Sequence, residues 1–167
     1  NASFIALKFY QGDAQNPDAV DNQNGKGYFH KVSDIKGKDV PGTYLAEAGL
    51  RTGLTGDWTL NSFVKPLKDK KAIDSLLSRE EKLSKRSLRL FLFNYLDIKQ
   101  LSMSSEEFNV FADELIKSEI KKGDLSEEFL AGMQRYYGKL KNEKASAEVE
   151  AIIFREYPKS STARFIA

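Results

Sequence analysis

Leu88-Arg89-Leu90-Phe91-Leu92-Phe93-Asn94-Tyr95-Leu96 is the stretch on which the reading of the fold turns. Leu88, Leu90, Leu92, Asn94 and Leu96 alternate with Arg89, Phe91, Phe93 and Tyr95, so a strand here would be mostly apolar on both faces. The spacing predicts a central β-strand and therefore a sheet for it to sit in. Toward the N-terminus, Ser3 to Tyr10 (SFIALKFY) also alternates, with Ile5, Leu7 and Phe9 expected on the buried face. Gln11 to Gly27 is polar, holds three glycines and Pro17, and lacks periodicity, so it reads as a long surface loop. A second strand is expected at Tyr28 to Val32. Eight of the eleven glycines precede Trp58, which makes the chain strand- and loop-rich first and helical later.

Between these regions, Tyr44 to Arg51 fits either a short helix or a strand pair around Gly49, and periodicity does not choose. Trp58, Leu60, Phe63, Val64 and Leu67 form an apolar set, with Pro66 restricting Lys65 to extended backbone. Lys71 to Leu83 reads as a helix capped by Asp69, with Ala72, Ile73, Leu76, Leu77 and Leu83 as its apolar stripe. Beyond the central stretch, Ser104 to Glu107 is a capping box opening a helix whose stripe is Phe108, Phe111, Ala112, Leu115, Ile116 and Ile120, closed by Gly123. Asp124 to Glu127 repeats the box before Phe129, Leu130, Met133, Tyr136, Tyr137 and Leu140. Glu148 to Tyr157 and Thr162 to Ile166 flank Pro158-Lys159-Ser160-Ser161 and are rich in Ile, Phe and Val, which predicts a terminal β-hairpin. The expected fold is a single α+β domain over residues 1–167. It has one antiparallel-rich sheet packed against several helices, two of them the C-terminal amphipathic pair, and residues 11–27 form its long polar loop.

The chain has 167 residues, enough for one domain to bury a core without disulfides or a structural metal. It contains no cysteine, which excludes thiol nucleophiles, iron–sulfur clusters and cysteine zinc sites. Lys and Arg number 26 against 24 Asp and Glu, a net charge of +2 that argues for neither nucleic acid nor an anionic membrane. No apolar run approaches the ~20 residues that cross a bilayer. Charge is nonetheless segregated: residues 65–89 hold nine basic and four acidic side chains, residues 97–128 nine acidic and four basic. Such faces attract each other or orient a partner. The chain begins Asn1-Ala2, which fits a mature N-terminus or a tag remnant. With the lack of cysteine, the expected location is secreted or periplasmic, the alternative cytoplasmic.

Equipment for catalysis is thin. His30 is the only histidine, no Gly-x-Ser-x-Gly elbow presents a serine, and it reads as a packed or surface residue. Asp18 to Gly25 fails the spacing of a calcium loop, and no phosphate-binding glycine loop occurs, so neither metal nor cofactor is expected. The adjacent pairs Glu80-Glu81, Glu106-Glu107 and Glu127-Glu128 diverge on a helix and point toward water. Aromatic side chains, Trp58 and the tyrosines among them, are candidates for lining an apolar pocket.

The order of elements from Ala48-Gly49-Leu50-Arg51-Thr52 through Ser87-Leu88-Arg89-Leu90-Phe91-Leu92-Phe93 to two amphipathic helices and a β tail resembles the bacterial chalcone isomerase-like proteins. In a competing register, Gly42-Thr43-Tyr44-Leu45-Ala46-Glu47 is similar to the Gly-Val-Tyr-Leu-Glu strand of plant chalcone isomerases. The resemblance implies an open-faced sandwich whose cleft binds a small apolar acid such as a fatty acid, with Arg51 gripping the carboxylate through two parallel hydrogen bonds. The ligand-binding set expected on this reading is Arg51, Tyr44, Trp58 and Tyr95, with no catalytic residue. The expected function is non-catalytic binding of that ligand, and an isomerase is the weaker option. The alternative is a protein–protein interaction module of a secreted or envelope system, with its exposed patch near Tyr136, Tyr137 or the charge boundary.

Overall fold

The structure is a computed structural model that describes residues 2–54, 64, 68–85, 87–123 and 125–167. Trp58, Leu60, Phe63, Lys65, Pro66, Leu67 and Asp124, all singled out above, lie outside the described residues. The fold is α+β, but the single sheet is not formed. Among the described residues there are four short strands in two separate two-stranded sheets, together with seven α-helices. The chain divides into two compact units, Asn1–Ser104 and Ser105–Ala167.

The first unit opens with a ribbon. Strand β1 (Phe4–Leu7) pairs antiparallel with β4 (Tyr28–Lys31), and β2 (Phe9–Gly12) with β3 (Pro17–Asp21). Leu7 faces Tyr28 and Phe9 faces Asp21, so the two sheets follow one another along one pair of strands, with residues 22–27 inserted opposite Lys8. The expected polar loop therefore contains the end of β2, all of β3 and this insert. Gln23, Asn24 and Gly25 wind left-handed at φ 50°, 58° and 86°, and the Gly25 and Gly27 amides donate to the Asn22 carbonyl at 3.0 and 2.9 Å. Gly27 is required twice over: its φ is +74°, and a Cβ there would meet Val64 Cγ2 at 2.7 Å.

The ribbon turns its other face inward from the one expected. Phe4, Ala6 and Phe29 pack against buried Leu50 and Val64, while Ile5, Leu7 and Phe9 are 45%, 48% and 50% exposed. The alternation was legible but the set of Phe4, Ala6 and Lys8 also offers apolar side chains, and Phe4 stacks on Phe29 at 5.3 Å on the covered face.

Residues left open between helix and strand form helix α1 (Thr43–Thr52). It ends in a Schellman pair, Leu54 N–H to Gly49 O at 3.0 Å and Gly53 N–H to Leu50 O at 3.4 Å, with Gly53 left-handed. Both registers of the family motif thus lie in or at the start of a helix. Helix α2 (Lys70–Leu83) starts as expected on Asp69, whose carboxylate accepts from the Lys71 and Ala72 amides, and it buries Ile73, Leu77 and Glu80 at one-turn spacing.

The stretch Leu88 to Leu96 is not a strand. Leu88–Phe91 is a turn of 3-10 helix that runs into α3 (Leu92–Lys99), burying Leu92, Tyr95, Leu96 and Ile98. From Leu88 to Leu96 no residue is β-branched, and Leu and Arg are good helix formers. The same apolar residues also satisfy a helical stripe, and among the described residues the four strands pair only with one another.

In the second unit, α4 (Ser105–Lys121) buries Phe108, Ala112, Ile116 and also Glu119, which the stripe did not include. Helix α5 (Glu127–Lys139) is capped by Ser126, whose hydroxyl accepts from the Phe129 amide at 3.3 Å. The terminal hairpin is replaced by two helices, α6 (Glu143–Glu156) and α7 (Ser161–Ile166). Asn142 caps the first, Ser160 the second, and Ala145, Val149 and Ile153 bury one face at four-residue spacing. Reading the tail from Glu148 onward cut that stripe in half and left the Ile and Val content to argue for strands. Glu127 accepts from the Thr162 amide at 3.2 Å and hydroxyl at 2.6 Å, which ties the start of α7 to the start of α5.

Candidate functional site

Helix α1 lies between the ribbon and α2, and its N-terminus needs outside help. Gly42 precedes it in a left-handed conformation and offers no side-chain cap. Glu80 of α2, fully buried, supplies one: its carboxylate accepts from the amides of Gly42 at 2.7 Å, Tyr44 at 2.9 Å and Leu45 at 3.1 Å, and from the Ser84 hydroxyl. An anion at a helix N-terminus satisfies orphan donors and the helix dipole together. Helix α1 is thereby held in place, and with it Arg51 one turn from its other end.

Arg51 donates from Nε to Glu47 Oε1 at 2.9 Å, and its guanidinium carbon stands 4.8 Å from the centre of the Phe29 ring. Glu47, almost wholly buried, also has the Lys31 ammonium 3.0 Å from Oε2. That oxygen accepts no aligned hydrogen bond among the described residues, so the Lys31 contact is Coulombic rather than directional. Glu47 is thus flanked by two cations, and among the described residues only the Nε edge of Arg51 is engaged. The terminal nitrogens of Arg51 have no hydrogen-bond partner among the described residues.

Arg51 lines a concavity of about 560 Å³ with Leu7, Gln23, Lys26, Gly27, Tyr28, Phe29 and His30. Its apolar wall comes from the ribbon, its cations from Arg51 and Lys26, and among the described residues no acidic side chain is in the lining. The exposed His30 imidazole lies on its rim. Tyr28 is fixed there by its hydroxyl, which donates to Asp21 at 2.8 Å, and by an edge-on contact with Phe9. That bond to a carboxylate, with some desolvation, raises the Tyr28 hydroxyl above its ordinary pKa.

The other expected site residues are not brought to Arg51. Tyr44 is buried; its hydroxyl donates to Asp39 and accepts from Arg79 at 2.7 Å, and Lys31 and Arg79 lie 4.5 and 4.1 Å from its ring centre. The Asp39 bond and burial raise its pKa against the pull of Arg79. Tyr95 is buried in α3 and donates to Glu81; burial first, and the Glu81 bond second, push its hydroxyl far above the usual tyrosine range. Both hydroxyls serve packing partners and neither lines the concavity. Trp58 lies outside the described residues. Tyr136 and Tyr137, the expected centre of an exposed patch, are buried in α5.

Residues that sequence reasoning missed are Leu7, Gln23, Lys26, Gly27 and Phe29. Leu7 had been assigned to the core, and Lys26 to a featureless loop. The signal available was the Asn-Gly-Lys-Gly run at 24–27, whose glycines mark a tight turn returning to the strand that carries Phe29 and His30.

A second depression, a groove of about 380 Å³, lies between β1, α1 and the 3-10 turn with α3. Among the described residues no three His, Asp or Glu side chains gather to hold a metal, and no helix is long and apolar enough to cross a membrane. No family model, no curated protein and no solved structure matches this chain.

Proposed function

We propose that the first unit binds a small organic acid with an apolar body in the Arg51 concavity. The observation that carries this reading is the pose of Arg51: its guanidinium lies over Phe29 and is held through Nε by Glu47, and the residue lines a concavity that Lys26 also lines. A guanidinium fixed along one edge keeps the other edge for two parallel bonds to a carboxylate, and ordering it in advance lowers the entropy cost of binding. The volume lies in the ordinary range for ligand sites, and Leu7, Tyr28 and Phe29 supply apolar surface for the ligand body.

The test compares 1-naphthoate with its uncharged counterpart 1-naphthylmethanol by calorimetric titration. Naphthoate is expected to bind more tightly and to weaken with salt. Arg51→Gln is expected to reduce naphthoate affinity at least tenfold, about 1.4 kcal/mol, because a charge-assisted pair is lost. Lys26→Gln should give a smaller loss. Equal affinity for the acid and the alcohol, or no loss in Arg51→Gln, refutes the reading.

One observation favours a second reading, association with another polypeptide. The outer face of the ribbon displays Ile5, Leu7 and Phe9, with Tyr10 and Val20 also exposed nearby. Apolar residues clustered on a two-stranded ribbon with open edges suit contact with another chain. Sedimentation velocity across a hundredfold concentration range tests it for a second copy. Identical behaviour of the wild type and Ile5→Lys/Phe9→Lys would count against that association.

A further inference from the structure

The groove between β1, α1 and α3 is separate from the Arg51 concavity in both lining and chemistry. One wall is α1, presenting Gly42, Ala46 and Gly49 at its surface with Leu45 and Leu50 beneath. The facing wall is Phe91, Asn94 and Ile98, and Ser3, Phe4 and Ala6 of the first strand close a third side. Among the described residues no lining side chain carries a charge, and Ser3 and Asn94 are the polar ones.

Gly49 adds to the space in the groove. It sits inside a helix, where glycine is the poorest residue after proline, and its φ is not positive. A Cβ on it would meet Leu54 O at 3.6 Å and Ile98 Cδ1 at 3.7 Å, which is ordinary van der Waals contact. Neither backbone conformation nor a close approach demands glycine there. What glycine supplies is empty space beside Ile98. Gly42 differs, because its φ is +92° and a Cβ would press on Phe91 and Ser3 at 3.1 Å.

We propose that this groove binds an uncharged, flat apolar molecule of about the size of a two-ring aromatic. The lining decides the charge: an ion entering it would lose hydration and find no counter-ion, whereas an apolar body gains from leaving water. The Asn94 amide and Ser3 hydroxyl can serve one hydroxyl or carbonyl on the ligand. The volume of about 380 Å³ decides the size, accepting two fused or linked rings but not a length of polypeptide.

The probe is Prodan (6-propionyl-2-dimethylaminonaphthalene), a neutral two-ring dye with one carbonyl whose fluorescence brightens and shifts to the blue on leaving water, titrated into the full chain. Saturable one-site binding is expected, insensitive to salt and to Arg51→Gln. Methyl-labelled spectra should show shifts at Ala46, Leu50 and Ile98. Gly49→Leu, which fills the groove, should weaken binding at least tenfold, and Ala46→Leu, which narrows the same wall, should do likewise if Gly49→Leu fails to fold. Absence of saturable binding, methyl shifts confined to Ile5 and Leu7 of the ribbon, or full affinity in a folded groove-filling variant would overturn the proposal.

Discussion

Replacing Glu80 with alanine removes the cap that helix α2 provides for helix α1. Three buried backbone amides, those of Gly42, Tyr44 and Leu45, lose acceptors at 2.7, 2.9 and 3.1 Å, and the Ser84 hydroxyl loses its acceptor as well. A buried donor left without a partner costs ~1–3 kcal/mol. Counting two of the three amides as stranded at ~2 kcal/mol each, the expected loss is about 4 kcal/mol, in line with breaking a buried charged constellation. Against a total stability of ~5–15 kcal/mol this is a large fraction. With a urea slope of about 2 kcal/mol/M, the midpoint followed by circular dichroism should fall by about 2 M. Glu80→Gln keeps one acceptor oxygen but aims an amide donor at a backbone donor, so about 2–3 kcal/mol is expected despite near-identical shape. The control is Glu114→Ala, exposed on α4, which should stay within ~0.5 kcal/mol. A shift below about 0.5 M for Glu80→Ala would show that α1 does not depend on this carboxylate.

Three further outcomes follow from local geometry. Gly49→Ala should raise stability by ~0.5–1 kcal/mol, because it adds helix propensity at ordinary contact distance, whereas Gly27→Ala should lower it by ~2 kcal/mol or more through its positive φ and the clash with Val64; thermal unfolding of the pair checks both signs. Ser126→Ala and Asn142→Ala should each cost ~1 kcal/mol by stranding the Phe129 and Ala145 amides, and a denaturation midpoint unchanged in either would remove that cap from the account. The Thr162 hydroxyl and amide hold the Glu127 carboxyl below the usual carboxylate range. The bonded form is the anion, so this tie is complete above the unfolded value of ~4.3 and is lost as pH falls through the lower folded value. The Thr162 amide resonance should titrate below pH ~4.3, and a midpoint at or above it would contradict the assignment.

How much was legible depended on whether a signal was local. The helices from Lys70 and Ser105 announced themselves through Asp69, Ser104-Ser105-Glu106-Glu107 and four-residue apolar spacing, and they stand near where the sequence put them. Leu88 to Leu96 failed because unbranched apolar residues at every position but Arg89 and Asn94 satisfy a period of two and of 3.6 alike. The tail failed because its start, at Asn142, was passed over and half a stripe looks like a strand. Of the site, Arg51 was picked out and does line a concavity, but Tyr44 and Tyr95 are engaged by Asp39, Arg79 and Glu81, pairings that depend on long-range packing.

The sequence by itself determined what is set by residue type and near neighbours: the thiol chemistries excluded by the absence of cysteine, the capped helices, and the existence of strands at Phe4 and Tyr28. Only the tertiary structure decided which face of the ribbon is covered, that α2 caps α1 through Glu80, and that Glu47 holds Arg51 through its Nε with the guanidinium over Phe29. Each of these joins segments distant in sequence, and the energy that selects among the alternatives arises only when those segments meet.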